Sequence, residues 1–315
     1  MTLILQNARL IDGTGNEAVA DAAVMIEDGK IVYAGSASGS PQIDEAKAQR
    51  VDLGGNTICP GTFELGGQLV DSVDQARLEA RKLLREGVDV IKIASSGGVT
   101  SPNDDPDWLG MRTEMVAAIV EEAENYGGRH VAAHAIGFAG IKAAVQGGVH
   151  SVEHGYALTD DLRQEMVERG QFLVPTLIET LHPDTATPAA VAKSSKWHAL
   201  AQESIRASVE AGVKIAVGTD AGLVPDHGAN LGELGLLVKF GGMTPMQAIV
   251  AGTRTSAELC GLENELGTLE AGKLADVVVV QGDPLADIDS FSDNSRILLV
   301  LKQGSVASNR GDFAL

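Results

Sequence analysis

The spacing of apolar residues changes twice along this chain. Through the first 59 residues it follows a period of two. Residues 3–11 alternate, 23–26 form a short apolar run, and Ile31-Val32-Tyr33-Ala34 forms another. Asp12-Gly13 and Glu27-Asp28-Gly29-Lys30 separate these runs as turns, the second carrying a hairpin signal. No helical period occurs here, so the segment is expected to be short strands.

From about residue 71 helical and strand patterns alternate. Val73, Ala76, Ala80, Leu83 and Leu84 lie on one helical stripe that stops at Gly87. Val88-Asp89-Val90-Ile91-Lys92-Ile93 then reads as a strand. Thr113 is placed to N-cap a helix running to Gly127. His130-Val131-Ala132-Ala133 is the next strand, and a helix near 138–146 stops at Gly147-Gly148. Strands follow at 149–152, 172–174 and 213–217, with helices near 160–169 and 197–211 ahead of Gly170 and Gly212. Alternation at this spacing predicts right-handed βα units on a parallel sheet. After about 262 strand-like runs return, at 276–280 and 297–301. The expected architecture is therefore α/β. A TIM-like (β/α) barrel spans 60–262, with about six candidate strands, and one small β-sandwich domain is built from both ends, 1–59 and 263–315.

The formal charge of -19 repels phosphate backbones, which argues against nucleic acid as a partner. No run approaches the roughly 18 apolar residues needed to span a bilayer. The first residues lack the basic, apolar pattern of a signal peptide. Cys59 and Cys260 are expected to be buried free thiols, so the expected location is the cytoplasm.

Barrel active sites gather at the C-terminal ends of strands. Four polar residues stand at or just past such ends: Lys92, His134, His154 and Asp220. Taken singly, each has a plainer account. Lys92 is then an ion-paired or snorkelling lysine, each imidazole a satisfied core histidine, and Asp220 a turn cap. Taken together, four hard or borderline donors at four strand ends suit a divalent cation such as zinc. A carboxylate beside such an ion can also move protons during attack on a carbonyl.

Several strings resemble the amidohydrolase superfamily, within it the group of imidazolonepropionase-related enzymes and zinc-dependent dipeptidases and carboxypeptidases. They are Val51-Asp52-Leu53-Gly54-Gly55 through Cys59-Pro60-Gly61, Val90-Ile91-Lys92-Ile93, Ala133-His134-Ala135, Val152-Glu153-His154-Gly155, Gly218-Thr219-Asp220-Ala221-Gly222, and Gly267 to Asp276. The resemblance implies one or two divalent metal ions, zinc foremost, held by a carbamylated Lys92 and by His134, His154 and Asp220. It also makes Asp220 the general base and acid, and His227 a substrate-contacting loop residue. The implied reaction is hydrolysis of an amide or other C–N bond in a small substrate: an acylated amino acid, a dipeptide or a cyclic amide.

The chain departs from that pattern at one point. The family follows Pro-Gly at the first barrel strand with a His-X-His pair of metal ligands. Here Pro60-Gly61-Thr62-Phe63-Glu64-Leu65 runs into Gly66-Gly67, and the seven histidines begin at His130. About two βα units, each on the order of 30 residues, are missing relative to the family. An excision, a natural loss and an unrecorded segment would all leave this junction. A barrel short of two units has open edges, which points to a homo-oligomer. The competing expectation is an inactive or impaired remnant that binds one metal or none. Asp104-Asp105-Pro106-Asp107 is an acidic loop, expected to be a solvated turn or a contact for a substrate amine. His130 and His150 fall at strand starts, and His182 and His198 are expected at the surface.

Overall fold

A computed structural model describes residues 2–10, 17–27, 30–43, 47–54, 57–58, 68–99, 104–181, 188–221, 228 and 230–314. The chain divides into residues 1–69 and 70–315, and each unit is described by itself.

In the first unit, strands β1 (Thr2–Leu10), β2 (Val19–Glu27) and β3 (Lys30–Ser36) form an antiparallel ribbon. β4 (Ala48–Asp52) and β5 (Thr57–Ile58) pair with β1 in parallel. The period of two does the work expected of it. Leu10, Ala22 and Val24 share one buried cluster, to which Leu5, Val19 and Ile26 add. The hairpin turn at Asp28-Gly29 and the turn at Asp12-Gly13 lie outside the described residues.

In the second unit, α1 (Val73–Glu86) starts where the Ser72 hydroxyl accepts the Gln75 amide, and it stops at Gly87 with φ 84°. A left-handed residue closes a helix cheaply only if it has no Cβ. β6 (Val90–Ala94), α2 (Thr113–Asn125), β7 (His130–Ala135), α3 (Phe138–Gly147), β8 (Ser151–His154), α4 (Asp160–Arg169), β9 (Phe172–Val174), α5 (Pro188–Glu210) and β10 (Lys214–Ile215) follow. The five strands form one parallel sheet in the order β10-β9-β8-β7-β6. Ile91, Ile93, Val131, Ala133, Val152, Leu173 and Ile215 share one core with the helices. The remaining strands, β11 (Val277–Val280), β12 (Ile297–Lys302) and β13 (Ser305–Asn309), make a separate antiparallel sheet.

Five of the six expected barrel strands are present. Pro60-Gly61, where the resemblance ends the sixth, lies outside the described residues, as does Cys59. Several expectations are corrected. Thr113 is the first helical residue of α2, and Arg112 takes the cap without a side-chain bond. α5 begins at Pro188, because proline suits a first helical turn. β10 is only two residues long, since beyond Ala216 the Val217 amide turns away to the Ser256 hydroxyl, 3.1 Å off. Cys260 is a free thiol but exposed. His198 is half-buried and bonded to Thr180 and Gln202.

His130 and His150 sit at strand starts and stack, with ring centroids 4.3 Å apart. The His150 Nδ1 accepts the Val131 amide at 3.1 Å. Burial, then the charge of His130, pushes the His150 imidazole down to about 4. The folded chain thus refuses a proton that the unfolded chain accepts near pH 6.5. That contribution to stability is fully present above about 6.5 and is lost as pH falls towards 4. His150→Gln keeps an acceptor for Val131 but does not titrate. It should gain stability relative to the parent between pH 7 and pH 4.5, read as urea midpoints. A pH-independent difference would contradict this reading.

Candidate functional site

β7 and β8 run side by side, with Ala135 paired to His154. Their ends therefore deliver His134 and His154 to the same edge, and the rings meet edge to face at 4.5 Å between centroids. His154 is 1% exposed. Its Nδ1 lies 2.7 Å from the Thr176 hydroxyl and 3.2 Å from Glu179 Oε2. Whichever partner donates in the 2.7 Å contact, that ring nitrogen has no second proton for Glu179. Among the described residues, Glu179 Oε2 is left buried without a hydrogen-bond partner. A buried carboxylate oxygen in that state is costly unless a cation meets it.

Glu179 sits on a 3-10 turn, Leu177–Thr180, just past the end of β9. Its side chain is 7% exposed. Burial alone would raise its pKa. The contact with His154 and the positive fields of His154, His134 and Lys92 outweigh that, holding the carboxyl below its ordinary range. Asp220, beyond β10, is exposed, and it brings a carboxylate oxygen to the same place. Donor atoms of His154, Glu179 and Asp220 all lie within 4.8 Å of one another.

The backbone is held in unusual conformations at this spot. His154, Thr176 and Asp220 have φ of 73°, 51° and 47°. For β-branched Thr176 the left-handed region is an outlier. Such residues cost on the order of 1–3 kcal/mol each and cluster at functional sites. The buried Tyr156 hydroxyl donates to the Thr176 carbonyl at 3.2 Å. Burial, then the charge of Glu179, raises the Tyr156 pKa well above its usual value, so the phenol stays a neutral donor.

His134 has Nε2 3.2 Å from the Gly97 carbonyl. Burial, then the neighbouring His154, brings its imidazole down to about 4. At neutral pH it keeps a lone pair, which metal ligation requires. Lys92 lies on β6, opposite Ala132, while Ala94 faces His134, so lysine and histidine share one sheet face diagonally. Lys92 is exposed, on β6, the last strand of the described sheet.

The acidic loop packs beside His134. Asp104 Oδ2 accepts the Gly98 amide at 2.7 Å, and Lys193 Nζ donates to the Asp104 carbonyl at 2.6 Å. His227 and His182 lie outside the described residues. The structure thus brings His134, His154 and Asp220 together and sets Lys92 on the same sheet face. It adds Glu179, a residue not expected from the sequence. The signal for it was available: a lone carboxylate in Leu177-Ile178-Glu179-Thr180, just beyond the apolar strand 172–174.

An imidazole, two carboxylates and a second imidazole close by form a donor set that fits zinc or a similar borderline cation. The unpartnered oxygen of Glu179 is the observation that supports this fit.

The amidohydrolase family model matches residues 18–307. An ochratoxinase of Aspergillus niger is 34% identical over 259 residues, covering 80% of this chain and 53% of the relative. The chain therefore spans about half the length of that relative. An imidazolonepropionase of Geobacillus thermodenitrificans is 28% identical over 184 residues, covering 56% of this chain and 39% of the relative. Among solved structures, a Xaa-Pro dipeptidase with methionine bound in its active site superposes with a TM-score of 0.70 at 23% identity. It covers 98% of this chain and all of that one. The fold is accordingly the mixed α/β one of TIM-barrel hydrolases that carry a β-sandwich domain.

Proposed function

The chain belongs to the amidohydrolase family, and from that premise we propose that it hydrolyses amide or other C–N bonds in small substrates with the help of a divalent metal. The observation that carries this is the meeting of His154, Glu179 and Asp220 donor atoms within 4.8 Å at the strand ends, beside a neutral His134. These residues would hold the ion, zinc foremost, with Lys92 adding a ligand once carbamylated and so allowing one or two ions. Bound there, the metal would supply Lewis acidity to the scissile carbonyl and to water.

The chain's own groups do the rest. Asp220, exposed towards substrate, takes the water's proton and returns it to the leaving nitrogen. Thr176 fixes the His154 ring by bonding its Nδ1, the role an outer partner plays for a ligating imidazole. His227, seven residues after Asp220 in the sequence, contacts substrate. Acylated amino acids, dipeptides and cyclic amides are the proposed substrate class. The likeness to an ochratoxinase and the fold shared with a Xaa-Pro dipeptidase support it.

Residues 1–59 and 263–315 are read as one β-sandwich domain beside a barrel over 60–262, in a cytoplasmic homo-oligomer. Among the described residues no helix is long and apolar enough to cross a membrane.

A second reading, an impaired remnant, is favoured by one observation: no histidine precedes His130, so the His-X-His ligands are lacking. Hydrolysis of N-acyl amino acids and dipeptides by metal-depleted and zinc-reloaded protein separates the two. Turnover that returns with zinc supports the hydrolase. A folded, zinc-loaded chain without turnover on either substrate supports the remnant.

A further inference from the structure

The two carboxylates of the candidate metal group sit on separate loops, and one short segment reaches both. Helix α6 (Gly232–Lys239) begins just after Asn230. Its Glu233 is fully buried, with 0% exposure. One Glu233 oxygen accepts the Leu177 amide at 2.7 Å and the other accepts the Ile178 amide at 2.8 Å. Those amides open the 3-10 turn whose third residue is Glu179. Three residues earlier, Asn230 Nδ2 donates to the Thr219 hydroxyl at 3.0 Å, and Thr219 precedes Asp220.

Burying a carboxylate costs several kcal/mol unless its oxygens are satisfied. A side chain that only filled space here would more cheaply be apolar. Two hydrogen bonds from consecutive backbone amides, one to each oxygen, instead fix the orientation of the turn, not merely its depth. The turn needs such a clamp, because it follows Thr176 in a left-handed conformation that nothing intrinsic to threonine favours.

We infer that the Asn230–Glu233 segment is a positioning element that holds the donor atoms of Glu179 and Asp220 together beside His154. Glu233 is a positioning residue acting through Glu179, and Asn230 one acting through Thr219 on Asp220. The inference rests on the metal-site reading above and names residues that would touch neither metal nor substrate. It predicts that metal affinity depends on Glu233 only while Glu179 is present.

The test is a cobalt(II) titration of the metal-depleted full chain, followed by visible absorption, for the parent, Glu179→Ala, Glu233→Gln and the double variant. Glutamine keeps one acceptor but presents a donor to the second amide, so it breaks half the clamp at nearly constant volume. The expected result is a loss of roughly tenfold in affinity for E233Q, the size typical of outer partners of a ligand, and a changed absorption band. In the E179A background E233Q should add nothing. Asn230→Ala is expected to show the same dependence on Asp220, tested against Asp220→Asn.

An E233Q effect of equal size with and without Glu179 would overturn the inference, as would an E233Q affinity equal to the parent's. Should E233Q fail to fold by circular dichroism, Glu233→Asp takes its place in the same cycle. A parent chain that binds no cobalt would refute the metal-site reading itself, and that outcome is separate from the other two.

Discussion

His154→Ala is expected to lower zinc affinity by at least the ~100-fold that losing even an outer partner can cause, and to destabilise the metal-free chain by roughly 3 kcal/mol. Both effects come from one geometry. His154 is the most deeply buried member of the group, and its Nδ1 lies 3.2 Å from Glu179 Oε2. Removing the imidazole leaves a carboxylate whose side chain is 7% exposed facing an empty space. The effect can be separated from cavity formation alone. Glycine at 154 relieves the strain of a φ of 73°, which alanine does not. His154→Gly should therefore be more stable than His154→Ala by about 1 kcal/mol, although its cavity is larger. Chemical denaturation of both variants without metal, and zinc competition titrations with it, check the two parts. Alanine and glycine variants that keep parental zinc affinity would remove His154 from the site.

Asp220→Asn is expected to behave in the opposite way, losing turnover but not stability. Asp220 is exposed, and asparagine tolerates a φ of 47° about as well as aspartate does. The thermal midpoint should therefore stay close to the parent's, as for other surface substitutions. Turnover should fall by about 10²–10⁴, the usual contribution of a positioned proton carrier. Steady-state kinetics on an N-acyl amino acid, with matched zinc content, measures it. A variant that keeps full turnover would show that Asp220 carries no proton. A variant that loses zinc and turnover in proportion would make it a ligand only.

The α/β core was legible because burial on one sheet face imposes a period that the sequence must show. Ile91 and Ile93, then Val131 and Ala133, are buried as their alternation predicts. The placement of His134, His154 and Asp220 at or past strand ends is legible for a related reason, since each ends or follows an apolar run. Glu179 was not read, because a 3-10 turn after Pro175 has no periodicity to mark it. Its burial depends on Glu233, 54 positions later in the chain, and no local pattern connects the two. Lys92 shows the converse: an apolar strand context implies burial only if the sheet continues past that strand, and β6, which carries the exposed Lys92, is the last of the described sheet. The start of α5 was missed because Lys193-Ser194-Ser195-Lys196 breaks the apolar stripe ahead of Trp197.

Glu179 also changes what the missing His-X-His pair means. A site that lost two imidazoles and had no replacement would keep few donors. Here a buried carboxylate stands beside His154 with an oxygen that no donor among the described residues satisfies. That oxygen is where a cation would be most strongly drawn, since screening by water is weakest in the buried part of the group.

The most direct test is anomalous X-ray diffraction at the zinc edge from crystals of the zinc-loaded chain. The expected result is a peak about 2.0–2.2 Å from a ring nitrogen of His154 and from carboxylate oxygens of Glu179 and Asp220. Zinc-loaded crystals with no peak among these three side chains, or with a peak that leaves Glu179 out, would contradict the account.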